Sequence, residues 1–406
     1  MKAVAVGAGP KWFAHTSDAG TGCYVHIPFC DRICPYCDFA VVRYKEEHVS
    51  RYMSALITEI ELTTGFVGGD WKIAPIQTLY FGGGTPSTLP RPWFQKVTRT
   101  IFDRFATRPG SIEFTLEANP SRATASLDDW LAFGVNRLSI GVQSFDDHEL
   151  RQLGREHDAA QAISFYRAAR AAGFANVSLD LMVGVPGQSE ASFERSLDVA
   201  LQLEPEHVSA YGLTIEDATP YARWQRRDPA AFPDDDAVAN LLDRAHTVLT
   251  RAGMTHYEIS NFARPGFESA HNLGYWRQRN CLAFGMSAAG YRDGLRYRNT
   301  RSMAHYCDRL ERGDPPIEEE ERLSETARVG EAAMLALRSS AGIEHEDFLR
   351  RFGVDAKAAF ARAREKCKAL GLLEEDEWGM RLTQSGRLLA NTVCAEFLEP
   401  ELAAVR

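Results

Sequence analysis

The 406-residue chain has no basic surplus: 46 Lys+Arg against 55 Asp+Glu leave a formal net charge of -9. Phosphate backbones are bound by basic surfaces, so this balance excludes nucleic acid as the expected partner and favours an organic ligand. Long apolar runs are also missing. None approaches the roughly 18 residues of a membrane span, and the Ala-Val-Ala-Val-Gly-Ala-Gly stretch near the start is too short and too glycine-rich for a secretory core. No internal repeat is present. Of the eight cysteines, Cys23, Cys281, Cys307, Cys367 and Cys394 stand singly without framework spacing, which reads as buried thiols rather than disulfides. These absences predict a cytoplasmic protein without a membrane span. With 45% hydrophobic and 25% charged residues, the length suits one large domain and a smaller one.

What the chain does have is a cluster of thiols. Cys30, Cys34 and Cys37 form C-x3-C-x2-C directly after a short strand-like run. Three thiolates can hold three corners of an iron-sulfur cube and leave the fourth iron without a protein ligand, whereas electron-transfer clusters take four. Spacing alone leaves open a zinc knuckle, with His26 as the one nearby fourth ligand, or a redox pair of Cys34 and Cys37. With Tyr36 before the last cysteine, the motif resembles the signature of the radical S-adenosylmethionine superfamily. That resemblance implies a 4Fe-4S cluster whose open iron is chelated by the amino and carboxylate groups of S-adenosylmethionine. It also implies a reducing electron donor that triggers cleavage to a 5′-deoxyadenosyl radical.

Strand-like runs at 24–27, 76–81, 112–117, 137–142, 177–183 and 207–213 alternate with amphipathic segments at 48–62, 92–105, 159–172 and 190–203. Such alternation predicts a parallel α/β array, and six units predict a partial (β/α)6 barrel. A further helix at 237–252 and a strand at 255–260 complete the large unit. Residues 313–321, with Pro-Pro and four glutamates, read as an exposed linker. Helices near 324–338, 344–352 and 356–370, a ribbon at 372–383 and a final helix to 396 predict a small α+β winged-helix-like domain. Residues 325–406 carry 12 Lys+Arg against 14 Asp+Glu, which disfavours a DNA-binding wing. The expected organisation is therefore an N-terminal extension (1–22), a barrel with its adjoining strand (23–260), a connecting segment (261–322) and a C-terminal domain (323–406).

Barrel chemistry sits at the C-terminal ends of strands, which selects among the remaining motifs. Gly83, Gly84 and Thr85 follow the second strand, where glycines admit a ligand to the backbone; taken alone, the three glycines at 82–84 are more simply explained by a tight strand-ending turn. Glu117 ends a strand and shares a face with Glu113 and Thr115; it is expected at the mouth, accepting from an amine or hydroxyl. Gln143 lies just past another strand end. Asp180 in an apolar strand requires a partner, for which Arg155 is the candidate, either as a structural pair or against a ligand. By resemblance Tyr24, Tyr36, Gly83, Gly84, Thr85, Glu117, Gln143, Arg155 and Asp180 are the residues that would meet S-adenosylmethionine.

The stretches Glu117-Ala-Asn-Pro120, Asn136 to Phe145 and Gly184-x-Pro-Gly-Gln188 narrow the resemblance to the coproporphyrinogen dehydrogenase branch. Phe39 stands where the dehydrogenases place a further cysteine, so the chain resembles the HemW-type heme chaperones of that branch. The resemblance implies heme as cargo and a client hemoprotein as partner. Coproporphyrinogen III dehydrogenation and radical methyl transfer or cyclopropanation remain the enzymatic alternatives. His271, Tyr275 and Trp276 resemble the His-Asn-x-x-Tyr-Trp segment of such chaperones, implying a heme ligand and porphyrin-facing rings; local hydrogen bonding of His271 is the competing reading. The loop Gly285 to Tyr291 lacks the histidine of many relatives.

Overall fold

The computed structural model describes residues 20–66, 75–120 and 126–401. The expected N-terminal extension therefore lies outside the described residues up to position 19. Twelve strands share one sheet, in chain order β1 Thr21–Ile27, β2 Ile76–Gly83, β3 Glu113–Ala118, β4 Arg137–Gln143, β5 Val177–Val183 and β6 His207–Gly212. They continue with β7 Thr255–His256, β8 Asn261–Ala263, β9 Cys281–Phe284, β10 Ala289–Arg292, β11 Leu295–Asn299 and β12 Ile317–Arg322. Their spatial order is β12-β11-β10-β9-β1-β2-β3-β4-β5-β6-β8-β7.

Strands β1 to β6 pair in parallel, each with the next. Parallel strands covered on both faces read as near-continuous apolar runs, and β5 is buried at all but one position. Between β4 and β5, the helix Ala159–Ala172 begins at a capping box made by Asp158 and Gln161 and stops at left-handed Gly173. Its buried residues, Ala162, Phe165, Tyr166 and Ala169, repeat with helical period and face the sheet. Truncating Phe165 to Ala would cost about 3–5 kcal/mol through lost burial and the cavity left behind. The array is the α/β fold with a partial barrel that the alternation of periods implies, and the six barrel strands fall within three residues of expectation.

The sheet extends further than the sequence pattern suggests. Strand β9 pairs in parallel with β1 as a seventh barrel strand. Its four residues are too few to register as a strand between helix Ala270–Trp276 and Gly285. The expected strand at 255–260 is instead two short antiparallel strands, β7 and β8. The acidic run is not a linker throughout: residues 317–322 form edge strand β12, antiparallel to β11. Arg296 faces Glu321 and Arg298 faces Glu319 across that pair, so the glutamates are matched by opposite charges from the neighbouring strand.

The C-terminal unit has its own core, containing Val329, Ile343, Phe348, Phe360, Met380 and Phe397. The expected ribbon carries a third strand, Ile343–Glu344, beside Gly379–Leu382 and Leu373–Glu375. The expected helix at 356–370 breaks at Phe360 into Ala356–Ala359 and Ala361–Ala369. No helix among the described residues is long and apolar enough to cross a membrane.

Candidate cofactor site

The thiol motif leaves β1 through Pro28. Phe29–Cys30 pairs in parallel with Val42–Arg43, so both ends of the intervening loop are fastened side by side. Within that loop Cys37 N–H donates to the Cys34 carbonyl at 3.1 Å, which turns the last two cysteines toward each other. His26 closes the loop from below, with Nε2 2.8 Å from the Ala40 carbonyl and Nδ1 3.1 Å from the Tyr24 hydroxyl. Both of its ring nitrogens are engaged. The fourth ligand required by the zinc reading is therefore not on offer. Among the described residues, no three His, Cys, Asp or Glu side chains gather around one point as a single ion demands. A cube differs in taking each thiol on a different iron.

The glycine loop after β2 lies against the same strand end. Gly84 N–H donates to the Ile27 carbonyl and Thr85 N–H to the Phe29 carbonyl, each at 2.9 Å. A β-carbon on Gly84 would sit 2.6 Å from the Pro28 carbonyl carbon, and Gly83 has φ +111°. Close backbone approach thus dictates Gly84, while the left-handed φ and the His26 ring, 2.4 Å from where a β-carbon would sit, dictate Gly83. The same approach brings Thr85 Oγ1 to 3.4 Å from Cys30 Sγ. Burial pushes the Cys30 thiol up to about 11, opposed by the Thr85 hydrogen bond. Metal binding must displace that proton.

A cavity of about 180 Å³ opens above the strand ends. Cys30, Cys34 and Cys37 border it on one side. Gly83, Gly84, Thr85, Glu117, Gln143, Arg155, Asp180 and Tyr36 border it as well. Three thiols, the carboxyl groups of Glu117 and Asp180, the Gln143 amide and the arginines Arg32 and Arg155 line one cavity. That donor set fits a cluster with a zwitterionic ligand beside it.

Glu117 accepts from the Tyr80 hydroxyl at 2.8 Å and from Gly83 N–H at 3.1 Å. Burial lifts its carboxyl to about 7. Asp180 is raised by burial too, and its partners differ from the expected Arg155: it accepts from Ser139 at 2.9 Å and Ser178 at 3.0 Å. Register explains this, because β4 and β5 set Ser139 opposite Ser178. Arg155 approaches from the loop above the strands, donating to the Gly141 carbonyl at 2.8 Å and lying 3.8 Å from Cys34 Sγ.

Gln143 adopts φ +69° where the β4–β5 register shifts, a left-handed conformation that costs energy for a residue with a side chain. Its Oε1 accepts from Tyr211 at 2.7 Å. Tyr211, Ser139 and Asn119 also line the cavity and escaped the sequence reading. The strand-end rule applied to β6 would have found Tyr211.

Two expectations fall elsewhere. Tyr24 is outside the cavity wall; it packs in the barrel interior, its ring 6.1 Å from that of Tyr80. Glu113 is not at the mouth. It lies at the opposite end of β3, roughly 13 Å away along the strand, and accepts from the backbone of Ala270 and His271. The His271 ring is only 4% exposed. Nδ1 lies 2.8 Å from Thr78 Oγ1, Nε2 lies 2.9 Å from the Tyr275 hydroxyl, and the ring stacks on Tyr80 at 5.0 Å. Neither nitrogen is left for iron. Burial, with Arg137 nearby, brings its pKa down to about 3. Tyr275 is exposed, and Trp276 stands under Arg338 at 6.0 Å.

These features define a protein of the radical SAM class, and residues 24–200 match the Radical SAM superfamily. Residues 323–389 match the HemN C-terminal domain. The chain is 34% identical over 376 residues to the heme chaperone HemW of Bacillus subtilis, covering 92% of this chain and 98% of that one. It is 33% identical to the heme chaperone HemW of Escherichia coli, over 92% and 97% respectively. The fold also matches the Escherichia coli coproporphyrinogen III oxidase HemN, a radical SAM enzyme, with a TM-score of 0.81 at 24% identity, covering 95% of this chain and 92% of that one. The chain belongs to the HemW family within the radical SAM superfamily. A 4Fe-4S cluster and S-adenosylmethionine are the cofactors of that superfamily.

Proposed function

We propose that the protein is a cytoplasmic heme chaperone that binds heme and hands it to client hemoproteins. Near-complete coverage of relatives that bear that name carries the reading. Cys30, Cys34 and Cys37 would hold the cluster, leaving one iron for S-adenosylmethionine. When bound, the pair supplies reductive cleavage of the sulfonium to a 5′-deoxyadenosyl radical. The chain's own residues bind and orient: the Arg155 guanidinium suits the methionine carboxylate, Gly83 and Gly84 let the ligand approach the backbone, and Glu117, Asp180 and Gln143 suit amine and hydroxyl groups. Tyr36 and Tyr211 shield the wall from water. Thiolates that must stay reduced favour the cytoplasm, and a reducing donor is required.

Purified protein with a reconstituted cluster tests the proposal. Stable heme uptake followed by transfer to an apo-hemoprotein is the expected result. Conversion of coproporphyrinogen III, or methyl transfer with release of S-adenosylhomocysteine, would replace the chaperone reading with an enzymatic one.

A further inference from the structure

A second cavity, about 320 Å³, lies between the barrel edge and the C-terminal domain. One wall carries Leu242, His246 and His256 with Ile259 and Phe262; the other carries Arg387, Leu388 and Leu389. The two leucines are 44% and 50% exposed, an apolar rim rather than a packed core.

Two histidines in this wall are connected in a defined order. His256 Nε2 lies 3.1 Å from the Ile259 carbonyl oxygen. A carbonyl only accepts, so that nitrogen bears the hydrogen. His256 Nδ1 lies 2.9 Å from His246 Nδ1, a contact that needs one hydrogen between two nitrogens. Partial burial and the neighbouring Arg387 keep charge off His256, so its Nδ1 is the acceptor and His246 Nδ1–H the donor. His246 Nε2 is then the bare nitrogen of the pair. It makes no hydrogen bond to the described residues, while its ring is oriented through the other nitrogen, as metal-bound imidazoles are.

We propose that this cavity is the heme site, with His246 Nε2 as the axial ligand to iron. The inference rests on the chaperone reading. A lone imidazole cannot hold a bare ion, which needs three or more protein ligands, but a porphyrin brings four nitrogens of its own. Leu242, Ile259, Phe262 and the exposed leucines offer apolar surface to the macrocycle. Arg387, whose Nε is buried without a hydrogen-bond partner, offers a cation to a propionate. Arg338 stands on the same wall, donating to Asn391 at 2.8 Å. The iron–nitrogen bond forms from a lone pair already free, so no proton is displaced. One protein ligand and an open rim suit a cargo that must leave.

The full chain, with its cluster reconstituted, is titrated anaerobically with ferric heme and followed by absorption and spin-resonance spectra. His246→Ala is expected to weaken binding at least tenfold and erase the imidazole-ligated signature, with free imidazole restoring it. His246→Met guards against misfolding of the alanine variant and is expected to exchange the imidazole signature for a thioether one. Arg387→Gln is expected to weaken binding of heme but not of its dimethyl ester, which lacks the propionate charge. Unchanged affinity and spectrum in both His246 variants would overturn this site while leaving the chaperone reading intact. Absence of heme binding by the unsubstituted protein would overturn that reading itself.

Discussion

The Thr85 hydroxyl donates to Cys30 Sγ across 3.4 Å, joining the glycine loop to the first of the three clustered thiols. Hydrogen bonds to cluster sulfurs stabilise the reduced, more negative state and so raise the reduction potential. Thr85→Val should retain the cluster but lower its potential by roughly 50 mV, about one tenfold step of a one-electron couple, in a redox titration. Thr85→Ser should stay close to the unsubstituted value. Replacing Cys30, Cys34 or Cys37 by Ala should abolish the broad visible absorption; its survival in any one of them would contradict the ligand assignment.

Glu117 supplies a pH dependence of cofactor binding. Its carboxyl is raised by burial to about 7, and only the ionised form can accept from an ammonium group with both oxygens. Affinity for S-adenosylmethionine, measured by calorimetry, should fall as pH drops below about 7. Glu117→Gln should bind about tenfold more weakly at pH 8 and lose this slope. An unchanged slope in the variant would assign the titration to another group.

Left-handed Gln143 is expected to exchange stability for binding. Glycine removes the cost of φ +69°, about 1 kcal/mol, but also the acceptor for Tyr211. Gln143→Gly should therefore unfold within about 1 kcal/mol of the unsubstituted protein while binding S-adenosylmethionine at least tenfold more weakly. Equal losses of stability and binding would mark the residue as structural.

Glu59 tests the electrostatics of the fold away from the cofactors. It accepts from Gly285 N–H at 2.8 Å, Asn299 Nδ2 at 2.6 Å and the Tyr306 hydroxyl at 2.5 Å, holding the small-residue loop to helix Glu46–Phe66. Burial raises its carboxyl to about 7, above its value in the unfolded chain. The folded state therefore binds the proton more tightly; the associated stability is full below about pH 4.5 and disappears as pH rises through 7. Denaturant unfolding should show a Glu59→Gln variant with a flatter decline over that window, differing by up to about 3 kcal/mol. A parallel decline in both proteins would refute the shift.

Much of the site was legible because local periodicity and strand ends carry it. The three thiols, the glycine loop, Glu117, Gln143, Arg155 and Asp180 all border one cavity, as the rule of C-terminal strand ends requires. Their pairings were not legible. Arg155 and Asp180 look like complementary charges in sequence, yet Ser178 on the same strand and Ser139 on the neighbouring one satisfy Asp180 first. Residues 313–321 read as linker because charge density masks strand propensity, and only the arginines of β11 make Glu319 and Glu321 acceptable in an edge strand.

By itself the sequence determined the spacing of the thiols and the alternation of strand and helix, since both are written at short range in the order of residues. Tertiary structure alone decided that Glu113 meets the backbone of Ala270 and His271, and that both nitrogens of His271 are engaged by Thr78 and Tyr275. It also decided that His246 and His256, ten residues apart, share one hydrogen. A donor finds its acceptor through strand register and the crossing of distant segments, and neither is encoded in the period of a single run.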